Sequence, residues 1–167
     1  AGTTNVMRVL GKKAALPVFV IDALKGYAAV ALAAWSSVPV ESGGYLYVKI
    51  ALCLLAVVGH MFPVFAGFKG GKGVATLVGA VTGIYPQIIF LCFAVWFLVF
   101  LISHYVSLAS IIAGCCYPVL VMIFAFIRHN PATPYMTVPF IVFSWVVGFM
   151  VVWTHRKNIK RLRDGTE

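Results

Sequence analysis

The sequence predicts an all-α protein, a polytopic membrane helix bundle with about six transmembrane helices in a single domain spanning residues 1–167. Three observations carry this. Of 167 residues, 62% are hydrophobic and only 10% charged, where soluble domains average about 25% charged. Five apolar blocks approach or exceed the roughly 20 residues that cross a bilayer. The basic residues gather in short stretches around these blocks, as they do in the cytoplasmic loops of membrane proteins.

The blocks run from Ala14 to Trp35, Tyr45 to Phe65, Val74 to Ile102, Val106 to Ile127 and Thr137 to Trp153. Four fit one helix each. The third is too long for one, and Tyr85-Pro86 interrupts it. Charge decides how to divide it. Arg8, Lys12 and Lys13 precede the first block, Lys69 and Lys72 follow the second, and Arg156, Lys157, Lys160, Arg161 and Arg163 fill the tail. Elsewhere between blocks only Arg128 is basic. Five passes would put the N-terminal stretch and the tail on opposite sides; six put all three basic stretches in the cytoplasm. The third block is therefore expected to form two helices, each short, with protein or membrane thinning covering their ends. Ser103 to Ser110 then falls on the cytoplasmic side as well.

Thirteen Lys and Arg stand against Asp22, Glu41, Asp164 and Glu167, a net charge of +9. In a membrane protein this points to anionic headgroups or substrates. Nucleic acid is excluded as a partner, because the basic residues lie in short loops between apolar spans. Cys53, Cys92, Cys115 and Cys116 lie inside apolar segments without metal spacing and read as small hydrophobes. No signal peptide is visible, and an upstream piece is expected to be missing before Ala1.

The most informative segment is Gly67-Phe68-Lys69-Gly70-Gly71-Lys72-Gly73-Val74. Its glycines let the backbone turn tightly and expose N–H groups. A helix begins just after it, with its positive end facing the loop. Lys69 and Lys72 add full charge. These features suit a phosphate cradle, although Gly73 after Lys72 rules out the nucleotide-binding P-loop pattern. The plainer alternative is a flexible positive-inside loop.

His60 ends an apolar helix, and an ionisable residue at membrane depth is a functional candidate; a packing histidine is the alternative. Thr4, Asn5 and Arg8 offer a hydroxyl, an amide and a guanidinium that can bind phosphate bidentately, though Thr4 or Asn5 could serve only as a helix cap. Asp22 and Lys25 lie three apart within a span and read as a structural internal pair rather than a catalytic one. The tail reads as a basic lipid anchor, which leaves His155, Asn158 and Glu167 unexplained.

Gly59 to Thr76, with Gly-His-x-Phe-Pro-x-Phe-x-x-Phe-Lys-Gly-Gly-Lys-Gly-Val-Ala-Thr, closely resembles the second motif of the bacterial acyl-phosphate:glycerol-3-phosphate acyltransferases. Gly2 to Arg8 resembles the end of that family's first motif, with Thr3 where the family carries Ala. His155 to Glu167 resembles the third motif. The Asp-x-x-Lys-Gly element and Val106 to Ser110 also match. The resemblance covers essentially the whole chain.

It implies a seven-helix fold in the bacterial inner membrane, of which this chain supplies six helices, with a cytoplasmic active site. It implies neither metal, cofactor nor acyl-enzyme, and a monomer is expected. The second motif is implied to bind glycerol 3-phosphate through Lys69, Gly70, Gly71, Lys72 and Gly73, with the first and third completing the site and Glu167 structural.

In the expected reaction the 1-hydroxyl of glycerol 3-phosphate attacks the acyl phosphate carbonyl, giving lysophosphatidic acid and inorganic phosphate. Arg8, Lys69, Lys72 and the glycine amides would offset repulsion between two phosphates and stabilise the oxyanion. Ser107 and Asn158 would position hydroxyl and phosphate groups. The proton acceptor is His60, His155 or a phosphate oxygen, the last favoured by the resemblance.

An anion transporter would instead spread charge near the midplane in repeated halves, and a structural subunit would leave the glycine-lysine loop without a purpose. No Asp follows any His at the spacing of the His-x4-Asp acyltransferases.

Overall fold

The computed structural model describes residues 2–127 and 138–167. Arg128 and Thr137, which entered the reading of the loops and of the fifth block, lie outside the described residues. Eight α-helices account for most of the described chain: α1 (Thr3–Leu10), α2 (Lys12–Ala31), α3 (Gly43–Met61), α4 (Val74–Thr82), α5 (Pro86–Ser103), α6 (Val106–Ile127), α7 (Val138–Thr154) and α8 (Arg156–Arg163). Among the described residues there is no strand.

The third apolar block does break where its proline stands. Helix α4 ends at Thr82, and α5 takes Pro86 as its first residue, where a missing N–H costs nothing. The division is uneven, however. Helix α5 has 18 residues and α4 only 9, which is about 14 Å, roughly half the hydrocarbon thickness. Helices α2, α3, α5 and α6 are long and apolar enough to cross a membrane, and α7 qualifies when taken with α8, from which it bends by 54°. Helix α8, Arg-Lys-Asn-Ile-Lys-Arg-Leu-Arg, is too polar to be buried in lipid. The bend marks the passage from an apolar to a basic helix.

The chain forms two compact units, Ala1–Pro86 and Gln87–Glu167. In the first, α2 is central and packs on α1, α3 and α4. The contact between α2 and α4 is close because both helices present small residues. A Cβ on Gly26 would strike the Thr76 carbonyl, and one on Gly79 would strike the Ala23 carbonyl. Lipid gives helices no hydrophobic reason to associate, so backbone-to-backbone packing of this kind carries much of the attraction. The end of α4 is satisfied from α3: Lys49 Nζ donates to the Gly83 carbonyl at 3.0 Å, with its ammonium 5.3 Å from the centre of the Tyr45 ring. A cation at a helix C-terminus complements the dipole and pairs an orphan carbonyl, which matters where water is scarce.

In the second unit α6 and α7 pack through a similar seam. A Cβ on Gly114 would lie 2.6 Å from Val151 Cγ1, and one on Gly148 would lie 3.1 Å from the Gly114 carbonyl oxygen and 3.4 Å from Pro118 Cγ. Trp96 of α5 donates its indole N–H to Ser110 Oγ of α6 at 3.2 Å.

Candidate active site

In the first unit the glycine-rich loop is built from the end of α3, the start of α4 and the start of α1. Gly73 adopts φ 79° at the N-cap of α4, a left-handed conformation that glycine takes without steric cost. Its carbonyl accepts from Leu77 N–H at 2.8 Å, opening the helix. The first-turn amides of α4 therefore have no intrahelical acceptor and add to the positive end of its dipole. Gly70 N–H donates to the Met61 carbonyl at 3.1 Å and pins the loop to the end of α3.

Gly70 and Gly71 are required by packing within the protein. A Cβ on Gly70 would strike the His60 carbonyl, and one on Gly71 would strike His60 Nε2 and lie 3.1 Å from Gly2 Cα. Gly2 is in turn the N-cap of α1; a Cβ there would lie 3.5 Å from Gly71 Cα and 3.8 Å from the Lys72 nitrogen. The starts of α1 and α4 thus meet at Gly71–Gly73, bringing two positive helix ends to one short stretch. No side chain caps α1, so neither Thr4 nor Asn5 is the cap that the sequence allowed. Thr4 is half-buried and Asn5 exposed; Arg8 and Lys69 are exposed and Lys72 is half-buried.

Beneath the loop lie Asp22, Lys25 and His60. Lys25 Nζ donates to Asp22 Oδ1 at 2.5 Å and lies 2.6 Å from His60 Nδ1. His60 Nδ1 is also 3.4 Å from Asp22 Oδ1. The pair expected within α2 is formed, and it reaches across to α3, a link that the sequence reading did not contain.

The second unit gathers the other group. Asn158 is buried, and its amide donates to Glu167 Oε1 at 2.6 Å. Arg161 Nε donates to Glu167 Oε2 at 2.7 Å. Ser107 is also buried. Its hydroxyl faces the same carboxylate without closing a hydrogen bond of good geometry. Burial alone would raise the Glu167 pKa; the nearby Ser107 hydroxyl, the hydrogen bonds from Asn158 and Arg161 and the arginine charge outweigh it and hold the group at about 2. Glu167 therefore ties the end of the tail to α8 and lies beside Ser107 at the start of α6. In the sequence Arg161 is one more residue of the basic tail; nothing in its spacing distinguishes it from the exposed Arg156, Lys157 and Arg163. His155 sits at the bend between α7 and α8, buried, with Nδ1 2.8 Å from the Val151 carbonyl. A carbonyl can only accept, so Nδ1 carries the hydrogen and Nε2 is the basic nitrogen. Among the described residues no three His, Cys, Asp or Glu side chains stand together as a metal site.

A glycerol-3-phosphate acyltransferase family profile matches residues 1–165. The chain belongs to that family. It is 41% identical to the glycerol-3-phosphate acyltransferase of Aquifex aeolicus over 99% of this chain and 79% of the relative. It is 40% identical to that of Clostridioides difficile over 100% and 76%. Crystal structures of PlsY, an integral membrane glycerol 3-phosphate acyltransferase, superpose with TM-scores of 0.78 for its lysophosphatidic acid form and 0.79 for its glycerol 3-phosphate form. Both are 40% identical to this chain and cover 99% of it, this chain spanning 77% and 76% of them respectively. Family membership gives the enzyme its activity, glycerol-3-phosphate acyl transfer by an integral membrane protein, a reaction of phospholipid synthesis.

Proposed function

We propose that the enzyme transfers an acyl group from acyl phosphate to the 1-hydroxyl of glycerol 3-phosphate at the cytoplasmic face of the bacterial inner membrane, releasing lysophosphatidic acid and inorganic phosphate. The observation that carries this is the glycine loop, where the starts of α1 and α4 meet beside Lys72. Such a site suits the dianionic phosphate of glycerol 3-phosphate. A relative in the glycerol 3-phosphate form supports the same substrate.

In this reading Lys69, Gly70, Gly71, Lys72 and Gly73 hold the glycerol phosphate, with Thr4 and Asn5. Arg8 offsets the charge of the two phosphates and of the developing oxyanion. Ser107 and Asn158 position the hydroxyl and the donor phosphate, and Glu167 holds them. Attack forms the ester C–O bond and breaks the carbonyl–phosphate C–O bond. The hydroxyl proton passes to a phosphate oxygen of the substrate. No carboxylate is set as a base: Glu167 stays ionised and engaged by its donors.

The shortness of the described segments outside the apolar helices supports acyl phosphate as donor. The stretch between α3 and α4 is 62–73, and α8 has 8 residues. These are poor material for docking a carrier protein or a bulky nucleotide. The charge pattern supports a cytoplasmic site, and the enzyme is taken to act as a monomer with the lipid bilayer as its solvent. The test supplies the purified enzyme with glycerol 3-phosphate and, separately, acyl phosphate, acyl-coenzyme A and acyl carrier protein. Product should form from acyl phosphate alone; matching rates from the coenzyme A thioester refute the proposal.

A further inference from the structure

The Asp22–Lys25–His60 group is more than an internal ion pair, because its geometry determines which nitrogen of His60 carries hydrogen. Lys25 Nζ is 2.6 Å from His60 Nδ1, and an ammonium can only donate. Nδ1 must therefore accept, so the ring hydrogen sits on Nε2. Asp22 fixes the lysine from the other side at 2.5 Å. Its own distance to Nδ1, 3.4 Å, is long for a competing bond in which the ring would donate to the carboxylate. Nε2 lies against Gly71, where an added Cβ would collide with it. The His60 side chain is only 8% exposed, so few rotamers are open to it. The carboxylate orients the lysine, the lysine sets the imidazole, and the imidazole presents N–H to the glycine loop.

We infer that Asp22 and Lys25 are positioning residues that hold His60 as a neutral hydrogen-bond donor, its Nε2–H directed at the phosphate of glycerol 3-phosphate in the glycine loop. This rests on reading that loop as the glycerol phosphate cradle. It removes His60 from the candidates for proton acceptor, because the nitrogen with a lone pair is occupied by Lys25. His155 carries its hydrogen on the opposite nitrogen, so the two histidines of the family motifs are not interchangeable. It also gives the Asp-x-x-Lys-Gly element two tasks one residue apart: Lys25 sets the tautomer, while Gly26 lets α4 approach.

The experiment combines imidazole nitrogen NMR with steady-state kinetics on the full chain in lipid nanodiscs. His60 is assigned by comparison with His60→Gln. In the unmodified enzyme its nitrogens should show the neutral Nε2–H form. Lys25→Met should shift His60 toward the other tautomer or a mixture and raise KM for glycerol 3-phosphate at least tenfold, more than it lowers kcat. Lys25→Arg, which still only donates, should keep the Nε2–H form and raise KM less than threefold. His60→Gln, whose amide nitrogen can reach as Nε2 does, should retain more affinity than His60→Asn, whose amide cannot. An Nδ1–H or doubly protonated His60 in the unmodified enzyme overturns the inference. So does Lys25→Met with unaltered His60 signals, or with altered signals and an unaltered KM. The spectra need no acyl donor, so a failure of the acyl phosphate reading would appear in the kinetics alone.

Discussion

At the scale of single residues, the glycine loop is constrained from two sides at once. Its glycines turn the backbone and expose N–H groups, and Gly70 and Gly71 are also packed closely, against His60 and, for Gly71, Gly2. Gly71→Ala should therefore both displace the imidazole and distort the cradle, lowering thermal stability as well as raising KM for glycerol 3-phosphate. Lys72→Ala leaves that packing alone and should act on binding: losing one charge-assisted contact costs about 2 kcal/mol, roughly a thirtyfold rise in KM. Initial rates across glycerol 3-phosphate concentrations, with melting curves of the same samples, separate the two. Glu167 carries a second prediction. Its folded pKa, about 2, lies below its ordinary 4.5. Its ionised form therefore contributes stability that is fully present above pH 4.5 and is lost as pH falls toward 2. With the side chain 5% exposed, that contribution is at most about 3 kcal/mol. Unfolding in detergent from pH 7 to 3 should narrow the gap between the unmodified enzyme and Glu167→Gln; a gap constant with pH contradicts the assignment.

At the scale of elements, α4 is the unusual member: nine mostly apolar residues that begin just after the glycine loop, with Gly83 as the C-cap. A helix this short needs its end satisfied from outside, and Lys49 does so. Lys49→Met keeps the aliphatic stem and removes the donor. It should destabilise the fold by about 1 to 3 kcal/mol, read as a lower melting temperature; an unchanged one would show the Gly83 carbonyl satisfied otherwise. Much at this scale was legible in the sequence. Hydropathy located the apolar helices, Pro86 marked the break, and the Gly-Lys run between two apolar blocks marked the loop. What escaped reading depends on partners distant in sequence. Gly26 meets Thr76, Gly79 meets Ala23, Lys49 meets Gly83 and Lys25 meets His60. Each partner belongs to another element, so even where the Asp-x-x-Lys-Gly spacing stands out on α2, only the docking of helices gives Lys25 and Gly26 these partners. The length of α4 escaped for the same reason, since the small-residue seam to α2, rather than hydropathy, makes half a span stable.

For the whole molecule, topology and chemistry are joined through charge. Lys69 and the tail lie on one side of the membrane in the proposed arrangement, and the turn holding Glu41 on the other. Exposed positions serve best as reporters, since Ser107 and Asn158 are buried and would resist labelling on either side. In a background lacking the native cysteines, Glu41→Cys should react with an impermeant thiol reagent on intact cells. Lys69→Cys and Lys157→Cys should react only after permeabilisation; labelling of either from outside contradicts the arrangement. The central claim concerns the bond that is broken, and phosphate release measures it most directly. Purified enzyme with acyl phosphate should release inorganic phosphate only when glycerol 3-phosphate is added, one for each lysophosphatidic acid formed. Release without acceptor, or lysophosphatidic acid formed without matching phosphate, would contradict it.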